Sequence, residues 1–185
     1  ELVERHLQKC LDMGIYLTGT NAEVAVGQWE FQCFAEDTLK ACDDLWISRY
    51  VLYRMAEEYH CDVNITPKPV HGDWNGSGCH TNFSNNQMRD EGGEGYFNSV
   101  LESLRKRHNA HIAAYGEGNE QRLTGLHETQ HISEFSWGVG DRGASIRVPN
   151  AVKRDGWKGY IEDRRPASNC DPYLVASMIV DACEI

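Results

Sequence analysis

NAEVAVGQWEFQC, residues 21–33, reads as a β-hairpin from which the elements on either side can be placed. Gln28, Glu30 and Gln32 alternate with Trp29, Phe31 and Cys33, the period-two pattern of a strand with one wet and one buried face. Glu30 therefore looks into a polar site. With Val26 and Gly27 as the two central residues of a tight hairpin, Glu23 falls directly opposite Glu30. Facing residues in such a ladder have Cβ atoms roughly 5 Å apart, and two carboxylates that close repel unless a proton or a cation lies between them. The same spacing also suits an ordinary solvated pair; Trp29 and Phe31 beside it tilt the reading towards a site.

Outward from the hairpin, residues 2–13 place Leu2, Val3, His6, Leu7, Cys10 and Leu11 on one helical stripe, with Gly14 where a left-handed cap is expected. The 15–20 stretch reads as the strand that pairs with 28–33. From Thr38 to Tyr59 a second amphipathic helix puts Leu39, Cys42, Leu45, Trp46, Tyr50, Tyr53 and Ala56 on its inner face, so its aromatics are expected in the core. A short strand is expected over 62–66, ended by Pro67 and Pro69, and a glycine-punctuated turn over 72–78 leads to a strand at 79–84 with His80, Asn82 and Ser84 on one face.

A third helix, 96–108, carries Phe97, Val100, Leu101 and Leu104 inward. Residues 115–131 lack periodicity and are expected to form a long mobile loop that closes over substrate. Ser145 and Arg147, then Tyr160, Glu162 and Arg164, mark polar strand faces, and Asp171 before Pro172 is the cap and first residue of a last helix. Helices interleave with antiparallel-looking hairpins, so the expected class is α+β, an antiparallel curved sheet flanked by helices in one domain, and not a doubly wound parallel sheet.

A formal charge of −10 and a pI near 5.2 argue against nucleic acid or an anionic membrane as partner, since both demand a basic surface. A bound magnesium or manganese fits an acidic chain better. Seven cysteines without CxxC spacing read as reduced core residues of an intracellular protein, and no apolar run approaches the roughly 20 residues of a membrane span. A chain that starts at Glu1 is expected to be a piece of a longer protein.

Each chemical candidate has a plainer alternative. His80 alone reads as a structural histidine; beside Asn82 and Ser84, with Cys79 pointing away, it does not suit zinc, whereas carboxylates with one imidazole suit magnesium or manganese. The glycines around Asn75 resemble a phosphate cradle without the GK[ST] ending of a Walker loop. Arg122, Arg142, Arg147, Arg164 and Arg165 are each explained by a surface ion pair, yet as a set on polar strand faces they point to anion binding, because guanidinium forks hold carboxylate and phosphate oxygens in pairs. Glu128 by itself is a solvated loop charge.

Taken together, GTNAEVAVGQWEFQ (19–32), KPVHGDWNGSGCHTNFS (68–84), HIAAYGEGNEQRLTGLHET (111–129), GDRGASIRVP (140–149) and GYIEDRRPASNCDPY (159–173) closely resemble the catalytic domain of glutamine synthetase, of the shorter eukaryotic type. The resemblance spans essentially residues 1–185 and implies that family's guanido-kinase-like fold. It implies ATP-dependent ligation of ammonia to glutamate through a γ-glutamyl phosphate, in nitrogen assimilation, with two or more Mg2+ or Mn2+ per site. Carried over position by position, the metal ligands are Glu23 and Glu30 for one cation and His80 and Glu162 for the other. The nucleotide contacts are Glu30, Asn82, Ser84, Arg142, Arg147, Tyr160, Ile161 and Glu162. Asp73, Trp74, Asn75 and Gly76 match the glutamate pocket, where Arg122, Arg142 and Arg164 clamp carboxylate and phosphate. Glu128 matches the flap glutamate that shields the acyl phosphate and deprotonates ammonium.

In two places the chain departs from the family pattern. A Gly-Pro pair usually follows the strand of Glu30, where this chain has Phe34 and Ala35. The family's amino-terminal β-grasp domain and E-x-E strand are not among these residues, so the piece alone is expected to be inactive. The family also implies a cytoplasmic homo-oligomeric ring whose active sites are shared between subunits. Two alternatives remain: a relative that glutamylates amines, and a non-catalytic structural relative. The second is disfavoured because Glu23, Glu30, His80, Glu128, Glu162 and Arg164 are all present.

Overall fold

The apolar stripe that begins at Leu2 folds as helix α1 (Leu2–Asp12), and Gly14 ends it at φ +78°, with open space around the position a side chain would take. The computed structural model describes residues 1–184; Ile185, the last of the 1–185 domain span, lies outside the described residues. Contacts divide the chain into two units, Glu1–Asn64 and Ile65–Ile185. The fold is mixed α+β, with two small sheets flanked by helices.

In the first unit α1 is followed by the hairpin β1 (Leu17–Ala22) and β2 (Trp29–Cys33), then by α2 (Thr38–Glu58), whose first turn is capped by the Asp37 carboxylate accepting from the Lys40 amide at 2.8 Å. Cys10, Ile15, Leu17, Val51 and Met55 form its core, with Leu7, Phe31 and Cys33 packed on them.

The hairpin register corrects the expected one. Asn21, and not Glu23, pairs with Glu30, and Ala22 pairs with Trp29. The Glu23 amide donates to the Gln28 carbonyl at 2.9 Å, so the turn holds four residues, 24–27. A two-residue primed turn needs positive φ at both central positions. Gly27 takes it at +76°, and β-branched Val26 does not. Glu23 therefore lies diagonal to Glu30 on the same face, a Cβ separation of roughly 7 Å in ordinary sheet geometry.

The inner face of α2 is also corrected. Trp46, Tyr50, Tyr53 and Leu39 are exposed, and the buried side is Cys42, Asp44, Ser48, Arg49, Val51, Met55 and Ala56. Both stripes obey helical spacing; α1 and β2 close against the one whose smaller side chains permit close approach, and the Arg49 guanidinium stacks on Trp46 at 5.4 Å. No strand forms over 62–66, where the Ile65 carbonyl instead accepts the Ser168 hydroxyl at 2.7 Å.

The second unit runs β3 (Thr81–Phe83), a π-turn (Gln87–Glu91), α3 (Glu94–Lys106), α4 (His108–Ala114), β4 (Trp137–Val139), β5 (Ile146–Val148), α5 (Asn150–Arg154), β6 (Ile161–Asp163) and α6 (Pro172–Cys183). Phe97, Val100, Leu101 and Leu104 of α3 are 0–1% exposed, as the periodicity predicts, and pack with Ile146, Val148, Ile161, Val175 and Ile179. Asp171 caps α6 through the Tyr173 amide at 2.9 Å.

The sheet order is β3-β6-β5-β4, antiparallel at β3–β6 and β6–β5. The β4–β5 pair is parallel, unlike the antiparallel expectation. Strands of three residues extend only about 10 Å, so the six residues 140–145 suffice to return the chain beside β4 without a helical crossover. Residues 115–131 are not one long loop: Tyr115, Asn119, Arg122 and Leu123 are buried, and a bridge joins Thr124 to His131.

Candidate active site

Antiparallel register puts Asn82 of β3 and Arg147 of β5 on either side of Glu162 in β6. Alternation along β6 aims Glu162 and Arg164 at one face and Asp163 and Arg165 at the other. Glu162 is 6% exposed. Its carboxylate has the Arg147 Nε at 2.5 Å, an N–H not aimed at the oxygen, and the Arg164 Nη1 at 3.2 and 3.3 Å. The His80 Nδ1 lies 3.6 Å away. Burial, followed by the charges of Arg164, Arg122, Arg147 and Arg142, holds the imidazole well below its ordinary range even though 36% of the side chain stays open to solvent. A neutral imidazole beside a buried carboxylate offers two donors of the kind that hold a hard dication when substrate oxygens supply the rest.

Glu23 and Glu30 occupy the polar face of β1–β2 with Asn21, Gln28 and Gln32. Asn21 donates to Glu23 at 2.9 Å and Gln32 to Glu30 at 3.0 Å. This oxygen-rich set suits magnesium or manganese. Among the described residues no three His, Cys, Asp or Glu side chains converge as a metal cluster.

Arg122 is spent on the backbone. Its guanidinium donates to the Arg164 carbonyl at 2.7 and 3.3 Å and to the Pro166 carbonyl at 2.9 Å. Burial, then Arg164, pushes its pKa down to about 10. The glycines of the expected pocket explain how it fits: a Cβ on Gly76 meets Arg122 Cγ at 2.4 Å and the Pro67 carbonyl oxygen at 2.7 Å, and one on Gly78 meets Arg122 Nη2 at 2.8 Å. Asp73 and Trp74 are exposed and Asn75 is half-buried on this turn. The Trp74 carbonyl accepts from Lys68.

Glu128 is 49% exposed, with the Arg142 Nη2 at 2.9 Å from its carboxylate, and the Arg164 Nη2 donates to its carbonyl at 3.4 Å. Arg142, Arg164 and Glu128 are thus brought together. Ser84 donates to the Gly159 carbonyl at 2.6 Å, Tyr160 is partly exposed, and the Ile161 side chain is wholly in the core.

Sequence reasoning missed what lies beneath this face. Asp163 and Arg165 are each 1% exposed and doubly bonded, Nε to Oδ1 at 2.9 Å and Nη2 to Oδ2 at 2.7 Å. Arg165 belongs to this buried network and not to an anion-binding set. The Tyr115 hydroxyl donates to Asp163 at 2.9 Å, and burial, then Asp163, drives its pKa well up. Arg165 Nη2 donates to His111 Nδ1 at 3.0 Å; burial and Arg165 push that imidazole down to about 4. His108 gives its Nε2 proton to the Ile132 carbonyl at 2.9 Å, which leaves Nδ1 to accept from Arg165. The available signal was the i, i+2 spacing of Asp163 and Arg165 in a strand otherwise read for its opposite face.

Residues 1–106 match the family model described as glutamine synthetase, catalytic domain. The chain is 54% identical over 181 residues to a glutamine synthetase nodule isozyme of Lupinus luteus, covering 98% of the chain and 51% of that protein. It is 51% identical to a cytosolic isozyme of Pinus sylvestris (98% and 50% covered) and 54% identical to a glutamine synthetase of Agaricus bisporus (98% and 51% covered). The chain spans about half the length of the curated relatives it matches.

Proposed function

The chain belongs to the glutamine synthetase family, and from that premise we propose that it carries much of the site for ATP-dependent ligation of ammonia to glutamate. The observation that supports this most is the meeting at Glu162 of Arg147, Arg164 and His80, a buried carboxylate between two guanidiniums and a neutral imidazole on a polar sheet face. Asn82 and Arg147 flank it in register, a strip that suits a nucleotide's phosphates. Glu23 and Glu30 would hold one dication, and His80 and Glu162 another. The metals, magnesium or manganese, would neutralise the β- and γ-phosphates of ATP during transfer.

In the reading we favour, the γ-phosphoryl group passes to the side-chain carboxylate of glutamate, bound near the 73–76 turn. Arg164 and Arg142 face the transferred phosphate, and Arg122 braces the Arg164 backbone from behind. Glu128 takes a proton from ammonium; the freed ammonia attacks the acyl carbon, the C–O bond to phosphate breaks, and phosphate leaves with the second proton that the attacking nitrogen gives up as the amide forms. A cytoplasmic location and a homo-oligomeric ring with shared sites are proposed on the family's pattern; among the described residues no helix is long and apolar enough to cross a membrane.

Metal binding tests the reading directly. Manganese titrated into the chain and followed by electron paramagnetic resonance should bind at two sites, more tightly with ADP present, and Glu23→Gln and Glu162→Gln should each weaken a different one of them by about tenfold or more. Binding that ignores both substitutions would sink the assignment.

A further inference from the structure

The loop that carries Glu128 holds a backbone its own residues disfavour. His127 and Glu128, consecutive and neither of them glycine, have φ of +53° and +58°. Something outside the pair must keep them there. The Thr129 hydroxyl closes the loop on itself by donating to the Leu126 carbonyl at 2.8 Å, and Arg142 and Arg164 hold Glu128 from the far side. On the near side the His127 Nε2 lies 3.0 Å from Asp73 Oδ1. Asp73 belongs to the 72–78 turn, which the cap-like fit of Gly76 and Gly78 on Arg122 holds in place.

We propose that Asp73 is a positioning residue for Glu128: its carboxylate, 3.0 Å from the His127 Nε2, adds to the Thr129, Arg142 and Arg164 contacts that keep the His127–Glu128 pair in its left-handed backbone, and so helps latch the loop beside the 72–78 turn with the Glu128 carboxylate near Arg142. The Asp73 side chain is 95% exposed, which makes the contact weak and reversible, as a latch that must admit substrate requires. Losing it leaves the loop on its remaining contacts, so His127 and Glu128 leave the left-handed backbone more often and the carboxylate is held less firmly. The catalytic role of Glu128 rests on the reading above; the latch does not.

Hydrogen–deuterium exchange of the 124–132 peptide tests the latch without any turnover, so its failure is distinguishable from failure of the ligase reading. Asp73→Ala and His127→Ala should each speed exchange about two- to fivefold, the range exposed pairs give. The double variant should exchange no faster than either single one. His127→Gln, whose amide still donates to Asp73, should return towards the parent rate. The latch is overturned by parent-like exchange in Asp73→Ala, by additive effects in the double variant, by no rescue in His127→Gln, or by equal acceleration in the 96–104 segment of α3.

Discussion

Arg147 stands directly across the β5–β6 ladder from Glu162, with its Nε 2.5 Å from the carboxylate. The same carboxylate serves Arg164, with the neutral His80 imidazole beside it, so one anion balances two guanidiniums. Removing it leaves charge without compensation, the costliest way to break a buried pair.

Glu162→Gln should therefore destabilise the protein by about 2–4 kcal/mol, somewhat less than fully buried pairs cost because Arg147 is 30% exposed. Urea unfolding measures the loss. Added phosphate should restore more stability to the variant than to the parent, because the freed guanidiniums bind it; equal stabilisation of both would contradict the shared-anion reading.

Asp163→Asn should cost about 3–5 kcal/mol, since it strands the Arg165 guanidinium at 1% exposure and removes the acceptor of Tyr115. A paired Asp163→Leu and Arg165→Met replacement should recover part of this. Thermal melts of the three proteins decide it, and a double replacement worse than Asp163→Asn would rule the account out.

His111 gives stability a pH dependence. Its folded pKa, pushed to about 4 by burial and then by Arg165, with Arg107 and His108 acting in the same sense and Asp163 against, lies below the unfolded value of 6.5. The unfolded chain thus takes the proton first. The contribution is full above pH 6.5, declines as pH falls, and is exhausted near pH 4, a swing of roughly 3 kcal/mol at most. Stability measured across this window should fall less steeply in His111→Gln than in the parent.

Gly76→Ala should cost about 1–3 kcal/mol, because the new methyl meets Arg122 and the Pro67 carbonyl. Gly14→Ala, at φ +78° in open space, should lose about 1 kcal/mol through backbone strain alone. Chemical denaturation of both variants separates overpacking from strain.

The two stripes of α2 make opposite predictions. Met55→Ala should cost about 2–5 kcal/mol and Tyr50→Ser less than about 0.5 kcal/mol, since Met55 is 7% and Tyr50 64% exposed. A large loss at Tyr50 would reinstate the aromatic face as core.

Much of this is legible in the sequence. The stripe from Phe97 to Leu104, the Asp171–Pro172 helix start and the Gly14 stop obey rules that act within one or two turns of chain, so they survive in any fold that contains them. The alternation around Glu162 marked a polar face for the same reason, whereas on β2 Trp29, expected on the buried face, is 54% exposed, and alternation there does not separate a wet face from a dry one. Which stripe of α2 goes inward was not readable, because helical spacing permits both and α1 with β2 chooses.

What the sequence alone determined, then, is the α+β class, most of the elements and the five motif blocks that carry the family resemblance, all consequences of local periodicity, turn chemistry and residue identity. Tertiary structure decided that Asn21 faces Glu30, that Arg147 and Asn82 flank Glu162, that Arg165 turns down to Asp163 while Arg164 turns up, and that His127 reaches Asp73. Those outcomes depend on partners far apart in the chain, whose meeting is set by register and by burial of charge, and no short window of residues contains both sides of such a contact.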